Sequence, residues 1–151
     1  MSFVIRPPVI DDVEAVAQVH VETWRETYRG LMSDELLDSP DMMGKRRRMW
    51  SSLIAPENHP DHTSAIADQD GVIVGIALSG PSAAEDRPGE RQLFVLYAYA
   101  AVHGSGIGQQ LLERSRRSRG ANFSVGGRPE SACSSFLPKK RLRLRRCCRN
   151  R

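Results

Sequence analysis

The chain has 151 residues, 40% of them hydrophobic and 26% charged, with a formal net charge of +4 at pH 7. That length suffices for one domain around a single core. No apolar run reaches the roughly 18 residues of a membrane span, and the N-terminus lacks a basic region leading into a long apolar stretch, so no membrane and a cytoplasmic setting are expected. The charge is split between two parts of opposite character. Residues 1–113 hold 9 Lys and Arg against 17 Asp and Glu, a balance of −8, while residues 114–151 hold 13 against 1, a balance of +12. Nucleic-acid binding would therefore rest on the basic tail alone, as non-specific contacts. All three cysteines, Cys133, Cys147 and Cys148, lie in that tail. The body thus offers neither a disulfide framework nor a thiolate metal site, and no metal is expected.

In chain order, Ser2 to Arg6 alternates as a short half-buried strand that Pro7-Pro8 ends. Asp11 or Asp12 is placed to cap a helix in which Val13, Val16, Ala17, Val19, His20 and Trp24 recur at three- and four-residue steps, giving one apolar face. Arg29-Gly30 breaks it. Ser33 caps a second short helix through Leu37, and Asp41 opens a third that runs past Trp50 to about Ile54. The Lys45-Arg46-Arg47-Arg48 run on this helix reads as a solvated face more than as a basic patch, because successive helical positions point in different directions. Ser64–Asp68 and Val72–Leu78 read as two strands joined by Gln69-Asp70-Gly71, whose Asp-Gly pair signals a hairpin. A polar loop from Gly80 to Gly89 precedes a further strand, Gln92–Ala98.

The most informative stretch follows, from Leu93 to Glu113: an apolar strand passes through a glycine-rich turn directly into a helix. Gly104, Gly106 and Gly108 remove side chains that would hold a ligand away from the backbone. The first N–H groups of the next helix have no intrahelical partner and point, with the helix dipole, at an anion. A plain connection with flexible glycines is the alternative. A Walker loop is excluded, since Gly108 is followed by Gln109 and Gln110 instead of Lys and a hydroxyl residue. The dinucleotide fingerprint is excluded by the G-x-G-x-G spacing and by the lack of an acid about 20 residues downstream.

His103, Gly106 and Gly108 fill the pattern of Gln or Arg, two residues, Gly, one residue, Gly or Ala. In this the chain resembles the acyl-coenzyme A loop of the GNAT superfamily of N-acyltransferases, with His103 in place of the usual Arg or Gln. Leu93–Ala98 resembles the family's fourth strand and Gln109–Glu113 the start of the helix after it. Further resemblance lies in Ile5-Arg6 with Asp11, in His20 through Gly30, and in Gly71 to Gly75. The resemblance spans residues 2–113 and implies an α/β GNAT fold, a mixed, mostly antiparallel sheet flanked by helices, incomplete after the fourth strand and its helix. It implies acetyl-CoA as co-substrate, held by His103, Gly104, Ser105, Gly106, Ile107, Gly108 and Gln109 at the phosphates and by Leu96, Tyr97 and Ala98 beside the thioester. Trp24 and Tyr28 look like a wall of the acceptor pocket, although core packing at helical spacing explains Trp24 equally well and Tyr28 somewhat less well.

Acyl transfer needs a base for the amine, donors for the carbonyl and an acid for the leaving thiolate. The position where the family often carries an acid that serves as base on its fourth strand is Gln92 here, and Glu90, two residues earlier and on the same face if the strand extends that far, is a weak substitute. The tyrosine that usually serves as acid stands in a run of Asn, two residues, Ala, two residues, Phe-Tyr, three residues, Gly-Phe, which this chain lacks. From Arg114 onward there is no clear strand period and too little apolar content to complete a sheet. However, Ser124 to Arg146 can be encoded by codons that, read from the second base, give LWVADQNPRARAFYQRNGFDSDG. That peptide contains the missing run with its spacing and at its distance from Glu113, so a frameshift between about Glu113 and Ser124 accounts for residues 114–151 as well as a disordered basic tail does. Under it Leu137 stands where the tyrosine was encoded, activity is impaired, and the fourth strand becomes an unpaired apolar edge open to a second copy.

The expected function is therefore transfer of an acetyl group from acetyl-CoA to a small-molecule or peptide amine. A noncatalytic acyl-CoA binder and a basic-tail nucleic-acid module are the alternatives.

Overall fold

A computed structural model describes residues 2–55, 57–82, 89–116 and 123–124. The elements are β1 (Val4–Arg6), α1 (Val13–Tyr28), α2 (Asp34–Leu37), α3 (Asp41–Ile54), β2 (Thr63–Gln69), β3 (Val72–Pro81), β4 (Arg91–Ala98), α4 (Ile107–Arg116) and β5 (Phe123–Ser124), with 3-10 turns at Ile10–Asp12 and Ala100–Val102. The strands form one sheet in the order β1-β2-β3-β4-β5. The first four pair antiparallel. β5 runs parallel to β4, opposite Arg91 and Gln92.

Two cores form on the two faces of this sheet. On one, Val16, Ala17 and Val19 of α1 and Trp50 of α3 meet Ile66, Ile76, Leu78 and Val95. On the other, Ile107 and Leu111 of α4 meet Ala65, Ala67, Val74 and Ala77. Full burial of each large apolar side chain contributes roughly 1.5–3 kcal/mol, so both helical layers are held chiefly by area removed from water. Small residues on the α4 face let that helix approach closely. A Cβ at Gly75 would come within 3.0 Å of Leu111 Cδ1 and 3.3 Å of Tyr97 O.

The hairpin at Asp70-Gly71 forms as its sequence predicts, with φ of +53° and +87°, and Gly71 N–H donates to Asp68 Oδ1 at 2.8 Å. The expected side-chain caps do not form. Ser33 and Asp12 occupy N-cap positions without a capping hydrogen bond. Asp12 is instead taken by Arg6, whose Nη1 and Nη2 donate to it at 2.7 and 3.0 Å, and it accepts from Val9 N–H at 2.8 Å. Arg6 holds the Asp12 carboxyl below the usual carboxylate range and also donates to Asp68, tying β1 and the first turn to β2.

The fourth strand's edge is corrected at its start: β5 covers Arg91 and Gln92. α4 runs to Arg116, past residue 113, because Ser115 is buried and its carbonyl accepts from Ser79 Oγ on β3 at 2.9 Å. The frameshift expectation and Leu137 concern residues that, apart from Arg114–Arg116 and Phe123–Ser124, lie outside those described.

Candidate active site

The register of β3 against β4 slips between Leu78 and Ser79, which pair with Val95 and Leu93 and leave Phe94 as an extra residue. This bulge bends the strand and directs both Phe94 and Val95 to the α1–α3 face. Beyond it, Tyr99 N–H donates to Val74 O at 3.1 Å. Antiparallel pairing alternates, so Tyr97 and Val95 bond toward β3, whereas the peptide groups of Ala98 and Leu96 face the opposite edge, which among the described residues β5 covers at Arg91 and Gln92. His103 reaches back to one of them: its Nε2–H donates to Ala98 O at 3.0 Å. Among the described residues nothing pairs with the Leu96 groups on that edge.

The glycine turn then leads into α4. Gly104 and Gly106 have φ of +81° and +85°, which a side chain would strain, and a Cβ at 104, 106 or 108 would meet nothing within 4 Å. The first helical bond runs from Gln110 N–H to Gly106 O at 3.1 Å. The N–H groups of Ile107, Gly108 and Gln109 precede it and sit at the positive end of the helix. Leu96, Tyr97, Ala98, Val102, His103, Gly104, Gly106, Ile107 and Gly108 enclose a cavity of about 220 Å³. Strand edge and helix N-terminus therefore open on one space, with a row of backbone donors at one end and an apolar wall at the other.

Of the residues expected there, Ser105 and Gln109 stand outside the cavity lining. Ser105 Oγ donates to Val102 O at 2.6 Å and shapes the turn, and Gln109 Nε2 donates to Glu113 Oε1 at 3.0 Å. Trp24 and Tyr28 are half-buried and form an edge-to-face pair with ring centres 5.5 Å apart. They lie on α1, off the cavity. Glu90 precedes β4, half-buried, with its carbonyl accepting from Ser82 N–H at 2.8 Å, and does not reach the cavity.

Sequence reasoning missed the bridge from α1 to this site. His20 is buried, its Nδ1 accepts from Trp50 Nε1–H at 3.1 Å, and its ring lies 5.4 Å from that of Tyr97. Burial chiefly, with the charge of Arg46, pushes its pKa down to about 3, so it is neutral. Tyr99 donates its phenol proton to Glu22 Oε2, and Ala100 N–H donates to Glu26 Oε2 at 3.1 Å. The spacing of Glu22 and Glu26, one helical turn apart, is the signal that was available.

No family model matches the chain. It is 25% identical over 124 residues to the uncharacterized N-acetyltransferase YuaI of Bacillus subtilis (strain 168), a match covering 79% of this chain and 62% of that protein. It is 29% identical over 109 residues to the probable N-acetyltransferase Rv2775 of Mycobacterium tuberculosis (strain ATCC 25618 / H37Rv), covering 71% of this chain and 59% of that protein. The chain thus spans about three fifths of the length of these curated relatives. The crystal structure of PaiA N-acetyltransferase from Thermoplasma acidophilum in complex with coenzyme A superposes with a TM-score of 0.64 at 26% identity, covering 75% of this chain and 69% of that one. Fold and relatives agree: in sequence and in fold this segment is similar to GNAT N-acetyltransferases.

Proposed function

We propose that this chain binds acetyl-CoA and belongs to an enzyme that transfers the acetyl group to an amine. The observation that carries this reading is the shared space between the open edge of β4 and the N-terminus of α4. The turn from His103 to Gly108 is the place for the pyrophosphate, since the ligand would meet backbone N–H groups and no side chain. The Leu96 peptide groups on the open edge suit the amides of the pantetheine arm. Acetyl-CoA supplies the activated thioester, and the protein's part is to align it with the amine and exclude water. PaiA, the structural relative, is a coenzyme A complex.

In this reading Trp24 and Tyr28 border the acceptor's approach. Glu90, the residue just before β4, is the carboxylate on offer as base, acting through water. The cytoplasmic setting, the amine acceptor and pairing of two copies along β4 belong to the same proposal. A second reading, coenzyme binding without turnover, is favoured by one observation: Leu137 stands where the shifted reading encodes the tyrosine. The frameshift itself gains support from β5, which begins at Phe123 directly before the shifted Leu-Trp-Val that would continue it as an apolar strand.

The test is thiol release from acetyl-CoA over a panel of amines, with the chain as it stands and with a version carrying the shifted peptide after Phe123. Turnover by the second alone supports an interrupted acetyltransferase, and turnover by neither contradicts the enzyme reading. Sequencing the native gene decides the frameshift: codons that do not give the Phe-Tyr and Gly-Phe run one base along exclude it.

A further inference from the structure

The four cations Lys45 to Arg48 of α3 do not act alike. Arg47 forms a two-point pair with Glu14, at 2.5 and 2.7 Å, and Arg48 is exposed. Arg46 turns inward. Its Cζ lies 5.1 Å from the centre of the Trp24 ring, its Nη1 has the Met49 thioether at 3.8 Å, and its Nε is buried without a hydrogen-bond partner among the described residues. The other arginines that the described structure withdraws from full exposure all find oxygen. Arg6 has Asp12 and Asp68, Arg25 has Leu37 O and Asp38, and Arg91 has Asp61 O and Thr63 Oγ1. A buried guanidinium N–H with no acceptor is costly unless something else supplies one, and at Arg46 that N–H is the Nε–H.

Its place says what that would be. Arg46 and Trp24 belong to the α1–α3 side of the sheet, across from α4 and the glycine turn, so the coenzyme's pyrophosphate is not its partner. Trp24 is one turn along α1 from His20, the Arg46 charge is near enough to help lower the His20 pKa, and the His20 ring lies 5.4 Å from that of Tyr97, which lines the cavity. Arg46 thus stands on the side from which an amine would approach a thioester held at Leu96–Ala98.

We propose that Arg46 reads a carboxylate on the acceptor, so that the acceptor amine is an amino acid or another carboxylate-bearing amine; this rests on the acetyl-transfer reading above. The planar guanidinium matches a carboxylate at two points, and the Trp24 ring, its centre 5.1 Å from Cζ, lies against it. One inward cation balances one monoanion. Arg47 is committed to Glu14, and the neutral His20 adds no second charge. A polycationic acceptor would meet a like charge at this point.

The test uses the full chain loaded with coenzyme A and needs no turnover. N-acetyl-L-amino acids, the products, are titrated calorimetrically beside their uncharged amides. The expected result is an acid that binds about tenfold or more tightly than its amide, the range of a charge-assisted contact. Arg46→Met removes that difference and leaves coenzyme affinity unchanged, and Arg46→Lys restores only part of it. Acids that bind no better than amides across the panel, or a preference that survives Arg46→Met, would overturn the proposal. Should Arg46→Met fail to fold, Arg46→Lys decides, since an undiminished preference there contradicts a two-point reading. Wild-type protein that binds no coenzyme A overturns the acetyl-transfer reading, and this inference falls with it.

Discussion

Tyr99, one residue beyond β4, donates its phenol proton to Glu22 of α1, and the next backbone N–H, that of Ala100, goes to Glu26. Two carboxylates on one helix thereby hold the chain where it leaves the strand for the glycine turn. Burial first, and then Glu22, raises the Tyr99 pKa, so the phenol stays protonated across the physiological range. Tyr99→Phe and Glu22→Gln should each destabilise the fold. A double-mutant cycle by urea unfolding should give a coupling of about 1–3 kcal/mol, as for a hydrogen bond to a charged partner. Strictly additive effects would mean that the contact contributes nothing.

Gly75 should be intolerant of bulk for reasons of packing alone. Its Cβ would press on Leu111 at 3.0 Å, Ile107 at 3.2 Å and the Tyr97 carbonyl at 3.3 Å. Gly75→Val is expected to cost about 1–3 kcal/mol in chemical denaturation, and Leu111→Ala in the same chain should make the valine easier to bear. Gly44 is the contrast. Inside α3, with ordinary φ and Arg48 Nη1 no closer than 3.8 Å to a new Cβ, Gly44→Ala should stabilise by about 0.5–1 kcal/mol. Equal effects at the two positions would contradict the close approach of α4 to the sheet.

Stability should depend on pH through His20. Its native pKa is near 3, because burial and then Arg46 disfavour the charged ring, whereas an unfolded histidine titrates near ~6.5. Between those values the unfolded chain binds a proton that the native chain does not, so stability is full above about 6.5 and falls as pH drops, by up to about 1.4 kcal/mol per pH unit for this group. The lowered carboxyl of Asp12 acts in the same direction, only below about 4. His62, lowered by partial burial, adds its own slope. His20→Gln keeps an acceptor for Trp50 Nε1–H and should flatten the fall between about pH 6 and 4.5. Urea midpoints that fall in parallel for both proteins would assign the dependence elsewhere.

Much of this fold is legible locally. The helix Asp41–Ile54 has its predicted bounds, since its spacing needs no distant partner to decide it, and the Asp70-Gly71 hairpin is fixed by backbone conformations that few other residues adopt. The glycine turn is legible for the same reason. The Phe94 bulge is not, because it is a mismatch of register between two strands and no property of either. Asp12 looks like a cap because local sequence cannot show that Arg6 and β2 will claim its carboxylate. Among four consecutive cations, nothing local marks Arg46 as the one whose face meets Trp24. Glu22 and Tyr99, 77 residues apart, meet only once α1 lies on the sheet.

The measurement that bears most directly on the coenzyme cradle is calorimetric titration of the full chain with acetyl-CoA, beside Gly106→Val and His103→Ala. At a φ of +85° a β-branched residue is strained and would fill the open space in the turn. The account predicts saturable 1:1 binding by wild type, a loss of roughly tenfold or more in Gly106→Val, and a milder loss in His103→Ala, whose ring supports Ala98 while the backbone amides carry the phosphates. Absence of acetyl-CoA binding by a folded chain, or equal affinity in Gly106→Val, would contradict it.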